Sequence, residues 1–236
     1  MRLRFLKLDW GYAIAELIIV VAGVLIALAA DSWNDDRLNR LEEAELVERL
    51  ISDLERDIRS IDRGLGLLAR KTESLDRVYA TLVVADVEPD DPAGFLEDVI
   101  EGAQYGWNQS TARRVTFDEL LGTGKFGLIR DRDLRVGIAE YYALDDSVHS
   151  RIDERETRYP HLSYQLVPRD DEFDLQRELS EDQIRLLVAG VFASQLQDHV
   201  IAETNLARFM RERLGALQTE GRQLIERLQT YLDTMS

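Results

Sequence analysis

The segment 122–127 is the part of this chain whose residue types and spacing come closest to a ligand-binding motif. Its sequence, GTGKFG, spells G-x-G-x-x-G and places Lys125 where a lysine could meet a phosphate. A dinucleotide-binding loop of this pattern follows a β-strand and opens a helix. Here a helical pattern precedes the segment and the apolar pair Leu128-Ile129 follows it. The surroundings therefore predict the end of a helix followed by a turn, and not a nucleotide site.

Metal ligands are sparse and scattered along the sequence. The three histidines share no H-x-x-x-H or histidine–carboxylate spacing; they are His149, His161 and His199. Acidic clusters could collect a divalent cation, but none has EF-hand spacing, so we expect solvated turns there. These clusters are Asp90-Asp91, Asp145-Asp146 and Asp170-Asp171-Glu172. The sequence predicts no metal site and no cofactor.

Catalytic signatures do not occur in the sequence either. The chain has no cysteine, which excludes disulfides, thiol catalysis and thiolate metal sites. It contains no G-x-S-x-G or S-x-x-K constellation, so a nucleophile, its base and an orienting group cannot be named. We therefore predict no catalytic residue and expect that the protein is not an enzyme.

Glu16 is the residue that most clearly breaks a physical rule. It is the only charged residue of the segment 12–30, which is nineteen residues long. A helix of that length can cross the hydrocarbon core of a bilayer. Aromatic residues that suit the two membrane interfaces flank the segment, namely Trp10, Tyr12 and Trp33. The sequence predicts a transmembrane helix over 12–30, anchored at its ends by these aromatic side chains.

A cleaved secretory signal is the alternative explanation of this N-terminus. Basic residues precede the apolar run at Arg2, Arg4 and Lys7, and Ala27-Leu28-Ala29 has the form of a cleavage site. The apolar core of a signal peptide is usually about 7–15 residues long and has no carboxylate. We therefore expect the segment to be retained as an anchor.

The orientation in the membrane rests on the basic residues that flank the span. Three lie in the short tail 1–11, whereas Arg37, Arg40 and Arg49 follow the span farther out and among acidic residues. A short basic tail before the first apolar run is typical of a signal anchor. We expect a single-pass inner-membrane protein with a cytoplasmic N-terminus and a periplasmic, extracytoplasmic domain.

The position of Glu16 also suggests a neighbouring helix, because a carboxylate in the hydrocarbon core costs on the order of 2.5–3.5 kcal/mol. Glu16 shares a helical stripe with small residues, and the predicted oligomerisation face is Glu16, Gly23, Ala27, Ala30 and Asn34. In one alternative, Glu16 reaches up to the interface or is protonated. In another, it lines or gates the path of a homo-oligomeric channel or transport subunit.

The chain beyond the span is strongly acidic. Residues 31–236 contain 26 basic and 43 acidic residues, which leaves a net charge near −17. Such a domain repels nucleic acid and anionic lipid, which argues against both as its partners. The expected partners are membrane lipid along the span, a second copy of the chain and a protein held by the acidic domain.

Two heptad patterns predict an all-α fold in which the span runs directly into a long-helix bundle. In the segment 31–88 the apolar residues spaced by seven are Val47, Leu54, Ile61, Leu68, Leu75 and Leu82. The rows of the C-terminal segment 180–236 are Met210, Leu217, Leu224 and Tyr231, and Ala207, Leu214, Gly221 and Leu228. We expect a coiled-coil stalk, kinked near Gly64 and Gly66, on which the C-terminal helices pack antiparallel.

Shorter helices are predicted for the middle section 89–179. The first is expected at Phe95–Ile100, and the second begins at a capping box of Thr116 and Glu119 and stops at Gly122. A third helix is expected from Asp131 to near Arg158, where Pro160 closes it. A capping box of Ser180 and Gln183 then opens the C-terminal segment.

The segments 12–16 (YAIAE), 23–28 (GVLIAL) and Trp33-Asn34 form a first set of motifs. This set resembles the patterns Y-A-I-G-E, G-I-L-I-A-L and N-N-W-N of a bacterial family of uncharacterised small single-span membrane proteins. The second fits L-x-x-x-G-x-x-x-L-I-x-D-x-x-L-R from Leu120 to Arg135, followed by a tyrosine pair. Ala15 replaces the family glycine, and Asp31-Ser32 replaces its asparagine pair. The resemblance implies a single-span architecture and no activity.

These observations favour one functional class over two others. We expect a membrane-anchored α-helical assembly or protein-interaction module that oligomerises through its span. The alternative is a homo-oligomeric channel or transport subunit in which Glu16 lines the path. An enzyme is the third class, and no constellation in the sequence favours it.

Overall fold

The computed structural model describes residues 10–104, 114–153, 155–167 and 179–235, and within these ranges every regular element is helical. The all-α fold predicted from the heptad patterns is confirmed. The helices are α1 (Trp10–Tyr79), α2 (Pro92–Ala103), α3 (Val115–Gly122), α4 (Arg132–Asp153), α5 (Tyr159–Leu166), α6 (Glu181–Phe192) and α7 (Leu196–Met235).

Helix α1 contains 70 residues and is therefore about 105 Å long. It carries the apolar N-terminal segment directly into the domain, as the unbroken pattern between Ala30 and Leu46 predicts. It also continues through Gly64 and Gly66, where a kink was expected. A π-helical turn at Ala80–Ala85 ends it, and Asp86 closes that turn with a left-handed φ of 50°.

One face of α1 becomes buried only beyond the apolar segment. Every residue from Glu16 to Leu41 is exposed, and the first buried side chain is that of Glu43. The predicted seam residues are all buried: Val47, Leu54, Ile61, Leu68, Leu75 and Leu82. The alternate row of the same heptad pattern is covered less completely: Ile58 and Thr72 are buried, whereas Tyr79 is 36% exposed.

Helix α7 is the main partner of α1 and runs antiparallel to it, as expected. Arg222 forms an ion pair with Asp62 at 3.0 Å, and Arg208 forms one with Asp76 at 2.8 Å. The later residue of α7 thus meets the earlier residue of α1. The helices α4 and α5 also contact α7, while α2 contacts α1, α5 and α6.

A glycine allows α7 to approach its neighbours closely. A Cβ added at Gly221 would lie 2.6 Å from Ile58 Cδ1 and 2.9 Å from Tyr141 Cε2. Real Cβ atoms do not approach other atoms so closely. This position of the predicted seam therefore has to be glycine where α1, α4 and α7 meet.

Two of the predicted helix boundaries are wrong. Helix α3 begins at Val115 without a side-chain cap, and the Thr116 hydroxyl and amide both donate to Asp53 on α1, at 2.7 and 3.2 Å. The Thr116 hydroxyl is thus bound to the Asp53 carboxylate of α1, and the expected capping box with Glu119 does not form. Pro160 does not close α4, which ends at Asp153; it lies in the first turn of α5, where the missing N–H of proline costs nothing.

The caps of two other helices form as predicted. Asp131 accepts a hydrogen bond from the Leu134 amide at 2.9 Å, and Ser180 with Gln183 forms the predicted capping box. Helix α2 is longer than expected, because Asp91 caps it and Pro92 opens it. The C-terminal stretch is two helices, separated by a turn after Phe192.

Candidate functional sites in the span and at its end

The predicted oligomerisation face lies on the exposed part of α1. The helix brings all five residues onto one stripe, because their spacings are close to whole turns. Each of them is exposed: Glu16, Gly23, Ala27, Ala30 and Asn34. A Cβ added at Gly23 would meet nothing within 4 Å. Within the described ranges, therefore, this chain supplies no neighbour for the stripe.

The apolar segment shares this exposure from Glu16 onward. Leu17 is 62% exposed, Ile19 72% and Ile26 70%, although side chains of this type are usually buried. Near the N-terminus, α1 is long and apolar enough to cross a membrane, with a mean hydropathy of 2.0 over its best window. An apolar surface of this size marks a contact with lipid or with another protein.

Of the predicted interfacial anchors, Trp33 is 69% exposed. The side chains of Trp10 and Tyr12 lie outside the described residues, although both belong to the backbone of α1. The basic tail with Arg2, Arg4 and Lys7 is also outside the described residues.

The GTGKFG segment forms a turn, as predicted. Helix α3 ends at Gly122, Gly124 adopts a left-handed φ of 71°, and a short 3-10 helix covers Lys125–Leu128. The Lys125 ammonium donates to Glu42 of α1 at 2.5 Å, which raises the pKa of the lysine. The lysine thus ties the turn to α1.

The histidines and acidic clusters are used locally. His149 Nδ1 lies 2.9 Å from the Asp145 carbonyl, and His161 Nε2 lies 2.9 Å from the Gln165 amide nitrogen. Among the described residues, no three histidine or acidic side chains are grouped to hold a metal ion. The cluster Asp170-Asp171-Glu172 lies outside these residues.

A buried ion pair in the domain was not predicted. Lys71 of α1 pairs with Glu203 of α7, and their side chains are only 5% and 2% exposed. Lys71 Nζ also donates to the Gln104 carbonyl at 2.8 Å, and the Thr157 hydroxyl donates to Glu203. These contacts satisfy both charges in the core. The signal in the sequence is weak: Glu203 lies one helical turn before Ala207, in line with the C-terminal seam.

A second group of buried side chains includes the adjacent tyrosines of α4, Tyr141 and Tyr142. Phe117 stacks on Tyr142 with ring centroids 4.3 Å apart, and both tyrosine rings are buried. The hydroxyls of Tyr141 and Tyr142 have no hydrogen-bond partner in the described part of the chain. Burial, and secondarily the charge of Asp57, raises the pKa of both phenols. Both tyrosine side chains are packed into the core.

A groove of about 590 Å³ lies where α1 leaves the apolar segment. We call it the Trp33 groove, and its principal lining residues are Trp33, Arg37, Arg40, Arg130, Tyr231 and Met235. The end of α7 forms one wall and α1 the other. The C-terminus of α7 therefore returns to the end of the span, as the antiparallel pairing predicts.

Buried Glu43 organises one side of the groove. It accepts hydrogen bonds from the Tyr231 hydroxyl at 2.5 Å and from the Arg130 amide at 2.7 Å. Burial, and then the hydrogen bond to Glu43, raises the pKa of Tyr231. The Arg130 guanidinium lies 3.2 Å from Asp36 and 3.6 Å from Glu43. Both carboxylates of the groove are thus directed at one arginine.

Arg37 and Arg40 line the same groove but form no ion pair or side-chain hydrogen bond with any residue that the structure describes. They lie on the exposed surface of α1, one turn apart. Two guanidinium groups therefore line the groove, and no described residue occupies their donors.

The chain matches no protein-family model, no curated protein and no solved structure. The resemblance of the span to single-span bacterial proteins therefore stays a prediction.

Proposed function

We propose that this protein is a membrane-anchored α-helical assembly module, in which α1 crosses the bilayer once and copies associate through the Glu16 stripe. One observation carries the proposal: 26 consecutive residues from Glu16 to Leu41 are exposed on a helix whose later part is well packed. In water this arrangement would leave a large apolar surface uncovered. A bilayer covers it without any change in the domain.

Association through the span explains the composition of the stripe. The small residues Gly23 and Ala27 let two helix backbones approach closely. The same approach takes Glu16 out of the hydrocarbon and into a helix interface, where acids in membranes are usually found. The acidic domain beyond the span then presents a protein-binding surface on one side of the membrane. The basic tail 1–11 favours a cytoplasmic N-terminus and a periplasmic domain.

Membrane anchoring and orientation are tested together. The full chain, with an epitope tag after Ser236, should stay in the membrane after alkaline carbonate extraction. In intact spheroplasts, the tag should be accessible to protease. A carbonate-soluble chain would refute the anchor, and a tag cleaved only after lysis would reverse the orientation.

Self-association is tested by a matched pair of substitutions in the span. Gly23→Leu places a bulky side chain on the stripe and should convert the oligomer to monomer in detergent, as measured by light scattering. Leu25→Ile lies on a different face and should leave the oligomer intact. A monomeric wild-type chain, or identical behaviour of the two variants, would refute the stripe as the interface.

A channel or transport subunit is the second candidate, and the position of Glu16 on the stripe favours it. In an oligomer that associates through this face, Glu16 would face the interior of the bundle. Vesicles that contain the wild-type chain should then conduct ions, and Glu16→Gln should change the flux. Sealed vesicles would leave only the assembly module.

A further inference from the structure

We propose that the Trp33 groove binds the headgroup phosphate of an anionic phospholipid from the bilayer that surrounds α1. The inference rests on the proposed membrane anchoring. It adds a specific lipid site to a protein whose acidic domain as a whole should avoid anionic lipid.

The position of the groove along α1 suits a headgroup. The polar region on each side of the hydrocarbon core is about 5–7 Å thick. With Trp33 at the interface, Arg37 lies about 6 Å and Arg40 about 10 Å farther along the helix axis. The two guanidinium groups are therefore at the depth of the phosphates and just above them.

The charges that face the groove leave an excess of positive charge for a ligand. Three arginines and two carboxylates line it. Asp36 and Glu43 are both directed at Arg130, so Arg37 and Arg40 remain for an incoming anion. Guanidinium forks match the oxygens of a phosphate better than any other side chain. Asp31 and Asp35 belong to the same stretch of α1 but do not line the groove.

The apolar parts of the groove distinguish a lipid from a free anion. Trp33, Leu41 and Met235 line it together with the arginines. Below Trp33, the exposed side chain of Ile26 lies two turns away on the same face of α1. An acyl chain can therefore continue along the span from a phosphate held in the groove, whereas inorganic phosphate would leave this apolar wall uncovered.

The test measures lipids that remain bound to the full chain in native mass spectrometry from detergent. Phosphatidylglycerol is the anionic probe, phosphatidylcholine the zwitterionic one and inorganic phosphate the free anion. The wild-type chain should retain phosphatidylglycerol in preference to phosphatidylcholine, and an excess of phosphate should not displace it. Arg37→Gln with Arg40→Gln should weaken retention about fivefold per arginine, and so roughly 30-fold together.

Arg63→Gln with Arg211→Gln is the matched control. It removes the same charge from two exposed arginines outside the groove and should leave retention unchanged. Equal loss in both double variants, equal retention of the two lipids or displacement by phosphate would each overturn the proposal. Flotation with phosphatidylcholine vesicles separates this failure from failure of the anchor, because every variant should float if α1 spans the bilayer.

Discussion

The two parts of α1 are made of similar residues and meet different surroundings. Leu25, in the apolar segment, is 61% exposed, while Leu54, in the domain, is fully buried. The first part is apolar around its whole circumference, and the second is apolar only every three or four residues, with charged residues between. The comparison teaches that the distribution of apolar residues around a helix, more than their number, determines whether the other helices of the domain cover them.

Removing the cation of the buried Lys71–Glu203 pair should have the largest effect on the free energy of unfolding. Glu203 is enclosed by the domain, whereas Glu16, in the other part of the chain, is exposed. Lys71→Met leaves Glu203 buried without its cation. We expect the free energy of unfolding to fall by about 3–5 kcal/mol. Urea unfolding of the full chain in detergent, followed by circular dichroism, measures it.

The matching control is the exposed pair of Arg59 and Glu55, whose side chains are 62% and 46% exposed. Arg59→Met should change stability by at most about 1 kcal/mol. Lys71→Met combined with Glu203→Leu should recover most of the loss, since no lone charge remains. If Lys71→Met alone were as stable as the wild type, water would have to reach Glu203 in solution.

A leucine truncation compares the two parts of α1 directly. Leu54→Ala should lower the free energy of unfolding of the domain by about 2–5 kcal/mol, because it leaves a cavity in the core. Leu25→Ala removes the same atoms from the exposed part and should leave that unfolding unchanged. Equal losses would show that the apolar segment folds back onto the domain, contrary to the structure.

Alkaline pH should destabilise the domain through its buried tyrosines. Burial raises the pKa of Tyr141 and Tyr142 above the ordinary value of about 10. Groups whose folded-state pKa is raised lose their contribution to stability as the pH rises, because the unfolded chain ionises first. We expect a loss of about 1.4 kcal/mol per tyrosine at pH 11, and none below pH 9.

Tyr141→Phe should remove its share of this pH dependence. At neutral pH it should change stability little, because the hydroxyl has no hydrogen-bond partner among the described residues. Tyr79→Phe is the control, since Tyr79 is 36% exposed. Phenolate absorbance that rises near pH 10 in the folded chain for all tyrosines would contradict the buried environment.

Some features that depend only on neighbouring residues or on periodicity are predicted correctly from the sequence. The capping box of Ser180 and Gln183 needs only four residues, and it forms. The heptad seam needs only periodicity, and its main row is buried. The apolar segment is likewise recognisable from its residue types alone, although these do not identify what covers it.

Features that depend on the register between distant helices could not be predicted. Thr116 lies 63 residues from Asp53, so its donors were assigned to a local cap that does not form. Lys71 and Glu203 appear as ordinary charged residues until α1 and α7 are aligned. The Trp33 groove also requires Arg130 to lie beside the end of the apolar segment, and that position has no local signature.

The antiparallel pairing of α1 with α7 has a consequence for biosynthesis. The hydroxyl of Tyr231 reaches Glu43 across 188 positions of sequence, so the loop that this contact closes is long. During translation, the seam of α1 leaves the ribosome well before its partner is made. The apolar seam is therefore uncovered in the interval, when a chaperone or a second nascent chain could bind it.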